Sequence, residues 1–397
     1  MEFLSNRVNS LAVSQTLAMS QKSSELRASG VDVINLSVGE PDFNTPTHIK
    51  EAAMRAIDEN YTFYSPVPGY LSLREAICEK LRKENGIEYT PAQIVVSTGA
   101  KQALCNVILA TINSGDEVVI PTPAWVSYVE MVKLAEGVSV TVPAGIESNF
   151  KVTPQQLEAA ITERTRMVLL CSPSNPTGSV YSRQELQGLV EVIARHPNII
   201  VLADEIYEHI NYTDEFTSLG AFPEIADRVV IINGVSKAYA MTGWRIGYCA
   251  APLAIAKACS KLQGQYTSGT CSVAQKAAEA AYTGSQGCVA EMCAAFRRRR
   301  DLVVELASQI PGFKVNKPQG AFYLFPEVSA LLGKRFGNRV IETSGDLAMY
   351  LLEEGHVATV DGAAFCAPGY IRFSYATSDD NIREALKRIR EAVEKLV

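Results

Sequence analysis

The feature that most constrains this chain is a series of short, continuously apolar runs between about residues 90 and 250, each closed by a polar turn. They are Ile94-Val95-Val96, Val118-Val119-Ile120, Met167-Val168-Leu169-Leu170, Ile199-Ile200-Val201-Leu202 and Val229-Val230-Ile231-Ile232. A strand with one wet face alternates apolar and polar residues, so unbroken Val- and Ile-rich runs predict strands covered on both faces. Stretches of helical character, such as Ser182 to Arg195, separate several of them. Repeats of this kind predict an α/β fold built on a wound, mostly parallel sheet.

Past residue 285 the pattern changes. Ser378 followed by Asp379 and Asp380 predicts a helix start with acids at its positive end. Ile382, Leu386, Ile389, Val393 and Leu396 then recur at helical spacing and form one apolar stripe. With Phe322-Tyr323-Leu324-Phe325 and Ile371-Arg372-Phe373, this predicts a smaller α+β unit. The length of 397 residues suits two packed domains rather than one small core. The run Arg297 to Arg300 lacks a wider basic surface and is expected to be a solvated helix face.

Composition narrows the partners. A net charge of −6 gives no pull toward nucleic acid or anionic lipid, leaving small molecules or a second copy of the chain. The 9 cysteines are odd in number and scattered, and the 4 histidines are dispersed, so buried free thiols and no metal site are expected. The first residues lack the basic and apolar regions of a signal peptide, and no apolar run has membrane-spanning length. The expected location is cytoplasmic.

Ligands of wound sheets collect where strands end at their carboxyl side. Those ends read Ser97-Thr98-Gly99-Ala100-Lys101, Pro121-Thr122-Pro123-Ala124-Trp125, Ser172-Pro173-Ser174-Asn175-Pro176-Thr177-Gly178, Ala203-Asp204-Glu205-Ile206-Tyr207 and Gly234-Val235-Ser236-Lys237. Asp204 follows a strand predicted to be central, and a buried carboxylate there demands a cationic neighbour. A nearby Lys or Arg or a helix N-terminus would answer that demand. So would a cofactor with a protonated pyridine nitrogen. Lys237 follows another apolar strand, where a desolvated amine next to other cations loses basicity and suits Schiff-base chemistry. Ser236, Arg245 and the Gly99-Ala100 turn supply a hydroxyl, a planar fork and helix-start amides, all suited to phosphate.

Asn175-Pro176-Thr177-Gly178, Asp204-Glu205-Ile206-Tyr207, Ser236-Lys237, Thr242-Gly243-Trp244-Arg245-Ile246-Gly247-Tyr248 and Arg372-Phe373-Ser374 together resemble the class I, fold type I aminotransferases that use pyridoxal 5'-phosphate. The resemblance extends in order from Ser37-Val38-Gly39-Glu40-Pro41-Asp42-Phe43 to Arg372 and is greatest toward bacterial aspartate aminotransferases. It implies a large cofactor-binding domain over 45–285, with 1–44 and 286–397 forming a small domain. It also implies that Lys237 holds the cofactor as an aldimine and moves the substrate's α-proton, with Asp204 on the pyridine nitrogen. Tyr207 and Asn175 then face the phenolic oxygen and Trp125 stacks on the ring. Ser236, Arg245, Gly99 and Ala100 hold the phosphate, and Tyr64 of a second subunit reaches it, which implies a homodimer. Arg372, Asn175 and the Gly39 backbone take the substrate α-carboxylate. Lys101, with Ser14 and Thr16, takes a distal carboxylate, pointing to aspartate and 2-oxoglutarate.

Without the family context, Trp125 and Tyr207 read as core aromatics, Tyr64 as loop packing, Gly39 as a turn residue and Arg372 as the wet side of a strand. Lys101 alone reads as a solvated helix-start lysine. Relatives that also accept prephenate carry a lysine where this chain has Ala12, which argues against that substrate. Rival readings on the same scaffold are an aromatic or kynurenine-type aminotransferase and a cysteine-conjugate β-lyase. A cofactor-binding regulator would be expected to carry a basic DNA-binding extension, and none is visible.

Overall fold

Each of the five apolar runs is a strand, and two further strands complete a seven-stranded sheet. The computed structural model describes every residue except Met1, Glu2, Ser14 and Asp214. In chain order the strands are β1 (Ile94–Thr98), β2 (Glu117–Thr122), β3 (Val138–Pro143), β4 (Thr165–Cys171), β5 (Ile200–Asp204), β6 (Val229–Gly234) and β7 (Ile246–Ala250). Their spatial order is β1-β7-β6-β5-β4-β2-β3. All neighbours are parallel except β7, which runs antiparallel to both β1 and β6.

The unbroken apolar runs are explained by two cores, one on each face of the sheet. Val96, Val119, Val168, Leu170, Val201 and Ile231 enter one of them. Their immediate neighbours Val95, Val118, Met167, Leu169, Leu202 and Val230 enter the other. Successive side chains point to opposite faces, so both sets must be apolar.

The two strands that the sequence pattern did not announce have other surroundings. β3 is the sheet edge, and its Val-Ser-Val-Thr-Val-Pro sequence leaves Val138 exposed and Val142 buried. β7 is interrupted by Gly247, where a Cβ would overlap the Ala100 amide nitrogen. That glycine lets the helix Gly99–Thr111 begin directly against the sheet.

Helix boundaries follow local capping chemistry. Ser182 and Glu185 form a capping box that starts the helix Arg183–Ala194. Ser378 accepts from the Asn381 amide and starts Asp379–Glu394. The stripe of Ile382, Leu386, Ile389, Val393 and Leu396 is buried in a separate core with Phe322, Leu324 and Phe373. Each such side chain contributes about 1.5–3 kcal/mol by leaving water, which holds this helix to the small three-stranded sheet beside it. The fold is thus α/β, with a smaller α+β unit packed on the sheet-bearing part. Ile206 and Tyr207, in the turn after β5, also enter this third core, so the turn that follows a central strand is gripped from both parts.

Two expectations need correction. Arg299 and Arg300 do not lie on a solvated face: they are 7% and 8% exposed. Arg299 forms a bidentate pair with Asp42 at 2.7 and 2.9 Å and meets Asp379, while Arg300 reaches the Pro318 carbonyl and Asp301. Carboxylates distant in sequence hold Arg299, while Arg300 is held by its neighbour Asp301 and a backbone carbonyl. The cysteines are all unpaired, but only Cys249 and Cys259 are buried; Cys271 is exposed and the rest are partly covered. Among the described residues no helix is long and apolar enough to cross a membrane.

Candidate active site

The carboxyl ends of β1, β2, β4, β5 and β6 surround a cavity of about 360 Å³. It is lined by Gly39, Ala100, Lys101, Trp125, Asn175, Asp204, Tyr207, Ser236, Lys237, Arg245 and Arg372, with Thr16 at its edge. These are the residues expected from the sequence, drawn from 16 to 372. Gly99 stands just behind the wall: with φ +79° it takes a left-handed turn, and a Cβ there would overlap the Arg245 guanidinium. Tyr64 is 98% exposed and does not line this chain's own cavity. Ser14 lies outside the described residues.

At one end of the cavity three kinds of anion donor meet. The helix Gly99–Thr111 starts there and presents free amides and a positive dipole end. Ser236 offers a hydroxyl. Arg245, at φ 58°, is held by donation to the Thr242 carbonyl at 2.7 Å and the Thr98 carbonyl at 3.4 Å. Among the described residues no carboxylate forms an ion pair with Arg245, which donates to two backbone carbonyls, so its charge is available to a ligand.

In the middle, Asp204 and Lys237 carry opposite charges that reach one another. Asp204 is 4% exposed; burial pushes its carboxyl up, against hydrogen bonds from Tyr128 and the Ile206 amide and the charge of Lys237. Burial brings the Lys237 amine down to about 8, aided by Arg372 and Arg245 and opposed by Glu40 and Asp204. Its Nζ donates to the Gly39 carbonyl at 2.6 Å and, among the described residues, has no carboxylate in contact.

At the far end Arg372 is 2% exposed, yet among the described residues its guanidinium contacts only neutral groups. Nη1 donates to Asn175 Oδ1 at 3.0 Å and Nη2 to the Ser37 carbonyl at 2.6 Å, while Nε has no partner. The ring of Tyr323 lies 4.6 Å from the guanidinium, and its hydroxyl shares a 2.7 Å hydrogen bond with that of Tyr207. A buried cation without an anion costs several kcal/mol, so the site is built to receive one. Lys101 stands at the exposed mouth, its Nζ 4.8 Å from the Trp125 ring centroid and, among the described residues, without a carboxylate partner. Its amine is lowered by desolvation and by Arg245.

Sequence reasoning missed Tyr128, Tyr323, Ser37 and Glu40. Tyr323 sat inside an aromatic run read as a strand, and Ser37 acts through its backbone carbonyl, which no side-chain pattern can announce. A second network was also missed. Behind the turn carrying Asp204 and Tyr207, Glu208 is buried against Lys80 and accepts from Asn85 and Asn233. These partners outweigh burial and hold the Glu208 carboxyl down at about 2. They anchor the turn from the side opposite the cavity.

The family model "Aminotransferase class I and II" matches residues 31–389. The chain is an aminotransferase of this family. An aspartate/prephenate aminotransferase of Cereibacter sphaeroides is 50% identical over 393 residues, covering 98% of each chain. One from Nitrosomonas europaea is 48% identical, covering 97% of this chain and 98% of the relative. The crystal structure of the aspartate aminotransferase from Rhizobium meliloti superposes with a TM-score of 0.96 at 44% identity, over 100% of both chains. That of Thermus thermophilus with maleate gives 0.93 at 41% identity, over 99% and 100%.

Aminotransferases of this family use pyridoxal phosphate, and the donor set of this one fits that molecule. A cradle of helix-start amides, hydroxyl and guanidinium suits a phosphate, as does the glycine that leaves room for Arg245. A buried carboxylate suits a protonated ring nitrogen, and a half-buried amine of lowered basicity suits an aldehyde.

Proposed function

We propose that this aminotransferase binds pyridoxal 5'-phosphate through Lys237 and moves the amino group of L-aspartate to 2-oxoglutarate. The observation that carries the reading is one cavity in which Asp204, Lys237 and the unpaired Arg372 converge. When bound, the cofactor supplies an electron-withdrawing ring that takes up the charge released at the substrate α-carbon. Asp204 holds the proton on the ring nitrogen. Tyr207 and Asn175 face the phenolic oxygen, and Trp125 covers the ring. Ser236, Arg245 and the Gly99 and Ala100 amides take the phosphate. Lys237 Nζ accepts the α-proton and delivers it again, a role that its depressed basicity favours near neutral pH.

Arg372 binds the α-carboxylate as a fork, with Asn175 and the Gly39 backbone beside it. Lys101 takes the distal carboxylate, with Ser14 and Thr16 assisting. Tyr64, exposed on its own chain, reaches the phosphate of a partner, so the working form is a homodimer. The large part spans 45–285, and 1–44 with 286–397 form the small part that carries Arg372.

Two results follow from the charges. Arg372→Ala deletes charge-assisted contacts worth about 1.5–3 kcal/mol. KM for aspartate is therefore expected to rise about 10- to 150-fold with a smaller change in kcat, as steady-state kinetics would show; an unchanged KM removes Arg372 from the site. Cofactor loading needs the neutral amine, so its rate in the cofactor-free protein should climb as pH rises through about 8. Stopped-flow absorbance at constant ionic strength measures this.

The deciding experiment titrates the loaded enzyme with aspartate and, separately, phenylalanine, following the visible band of the bound cofactor and the oxo acid released. Aspartate should discharge the band with the higher kcat/KM. Preference for phenylalanine would favour the aromatic reading, and ammonia with pyruvate from a cysteine conjugate would favour the lyase. The relatives' names add prephenate; against it stands Ala12, and turnover of arogenate, the aminated product of prephenate, in the same assay decides between them.

A further inference from the structure

Asp204 is approached by one side chain that belongs to none of the motifs above. Tyr128 lies in the first turn of the helix Ser127–Leu134 and is 1% exposed. Its hydroxyl donates to Asp204 Oδ2 at 2.6 Å, while Oδ1 accepts from the Ile206 amide at 3.3 Å. The Tyr128 ring is held edge-on to Trp125, with centroids 5.4 Å apart and planes at 84°. It packs in the sheet-face core with Ile120 and Leu169. The phenol therefore has little freedom to turn away.

We propose that Tyr128 is a positioning residue of the reaction: its hydroxyl keeps the Asp204 carboxylate ionised and turned toward the ring nitrogen of the cofactor. This deepens the proposed function and rests on it. A carboxylate as enclosed as Asp204 tends to take up a proton, and a protonated acid cannot hold the positive charge of a ring nitrogen. Three groups face it: Tyr128 from the helix, Cys171 from β4, and Lys237 from the turn after β6. Burial and the nearby Asp204 charge push the Tyr128 phenol well above its ordinary range, so it stays a neutral donor through the working pH range. The Cys171 thiol is raised in the same way and stays neutral. Lys237 would no longer stand as a free ammonium if it held an aldehyde, so it is not a constant counter-charge for Asp204. Tyr128 and the Ile206 amide remain, and of these the hydroxyl makes the shorter contact by 0.7 Å (3.3 against 2.6). A hydrogen bond to a charged group is about twice as strong as a neutral one.

Tyr128→Phe removes the hydroxyl and little else. Full-length protein labelled with [4-13C]aspartate, freed of cofactor, reports the Asp204 titration directly, with Asp204→Asn identifying the signal. The midpoint is expected to lie higher in Tyr128→Phe than in the parent. After reloading, kcat should fall about 10- to 100-fold with KM for aspartate unchanged. The 15N resonance of the labelled ring nitrogen should move toward its unprotonated position. A residue that served only packing would leave the midpoint and the nitrogen resonance where they were, and that result overturns the proposal. If Tyr128→Phe does not fold, 3-fluorotyrosine at 128 gives the opposite test: a stronger donor should lower the midpoint, and no movement again overturns it. A protein that takes up no cofactor would defeat the proposed function, while the cofactor-free titration would still decide the role of Tyr128.

Discussion

Lys237→Ala is expected to reduce kcat on the order of 10⁴-fold while leaving the melting temperature of the cofactor-free protein unchanged or slightly higher. The two halves of this expectation have one cause. The Lys237 amine is partly buried, donates to the Gly39 carbonyl, lies over the Tyr207 and Phe322 rings and among the described residues has no carboxylate in contact, so its removal breaks no ion pair. Burial lowers its basicity to about 8, which means that the folded chain bears a cost for keeping it charged. The sign is fixed by that depression: the unfolded chain holds the proton more tightly, so this cost is present below pH 8, shrinks toward higher pH and is absent in the alanine variant. Loss of turnover therefore cannot be blamed on unfolding. Proton transfer at the α-carbon by a placed base is worth roughly 10²–10⁴-fold, and the covalent anchor is lost in the same substitution. Single-turnover kinetics with aspartate, beside thermal melts of both proteins freed of cofactor, check the two halves. Activity near the parental level would show that another group does the work.

The parts of this fold that were legible were those where one physical demand acts on consecutive residues. Val95 and Val96 point to opposite faces, both faces are cores, and so the run is unbroken and readable. The same demand ends where each strand ends, which is why Asp204, Lys237 and Asn175 stood out as polar groups at the mouths of apolar runs. β3 escaped because an edge strand has one wet face, and β7 because Gly247 serves the neighbouring helix rather than the strand. Arg299 misled because its acids, Asp42 and Asp379, are far away in sequence, and Arg300 because it reaches the Pro318 carbonyl, which no charge pattern announces. Tyr128 could not be foreseen at all. Its partner lies 76 positions on, and the contact exists only because β2 and β5 lie near one another in the sheet, each with its turn at the same edge. Charge at a strand end is a local signal, whereas the second layer around it is made by topology.

Asp204→Asn separates what the fold needs from what the reaction needs, and it should move them in opposite directions. Burial raises the Asp204 carboxyl above its ordinary range more than Tyr128, Ile206 and Lys237 together lower it. An acid raised in this way retains its proton where the unfolded chain has already lost it. The fold therefore loses stability as pH rises from the ordinary carboxylate range through the folded value, and the loss persists above it. Asparagine has the same shape and no charge to desolvate; the Tyr128 hydroxyl can donate to its oxygen as it does to Asp204, and only the longer 3.3 Å contact from the Ile206 amide is given up. The cofactor-free variant is accordingly expected to melt at a higher temperature than the parent at neutral pH, with the difference closing in acid. The loaded variant should nevertheless lose about 10²–10³-fold in kcat/KM, the scale on which one fixed electrostatic contact to developing charge is felt. Paired melts across pH and steady-state kinetics measure both. A variant that is less stable than the parent when free of cofactor would mean that the carboxylate is already satisfied by the protein, and that its place at the end of β5 has a structural purpose rather than the holding of a cationic ring.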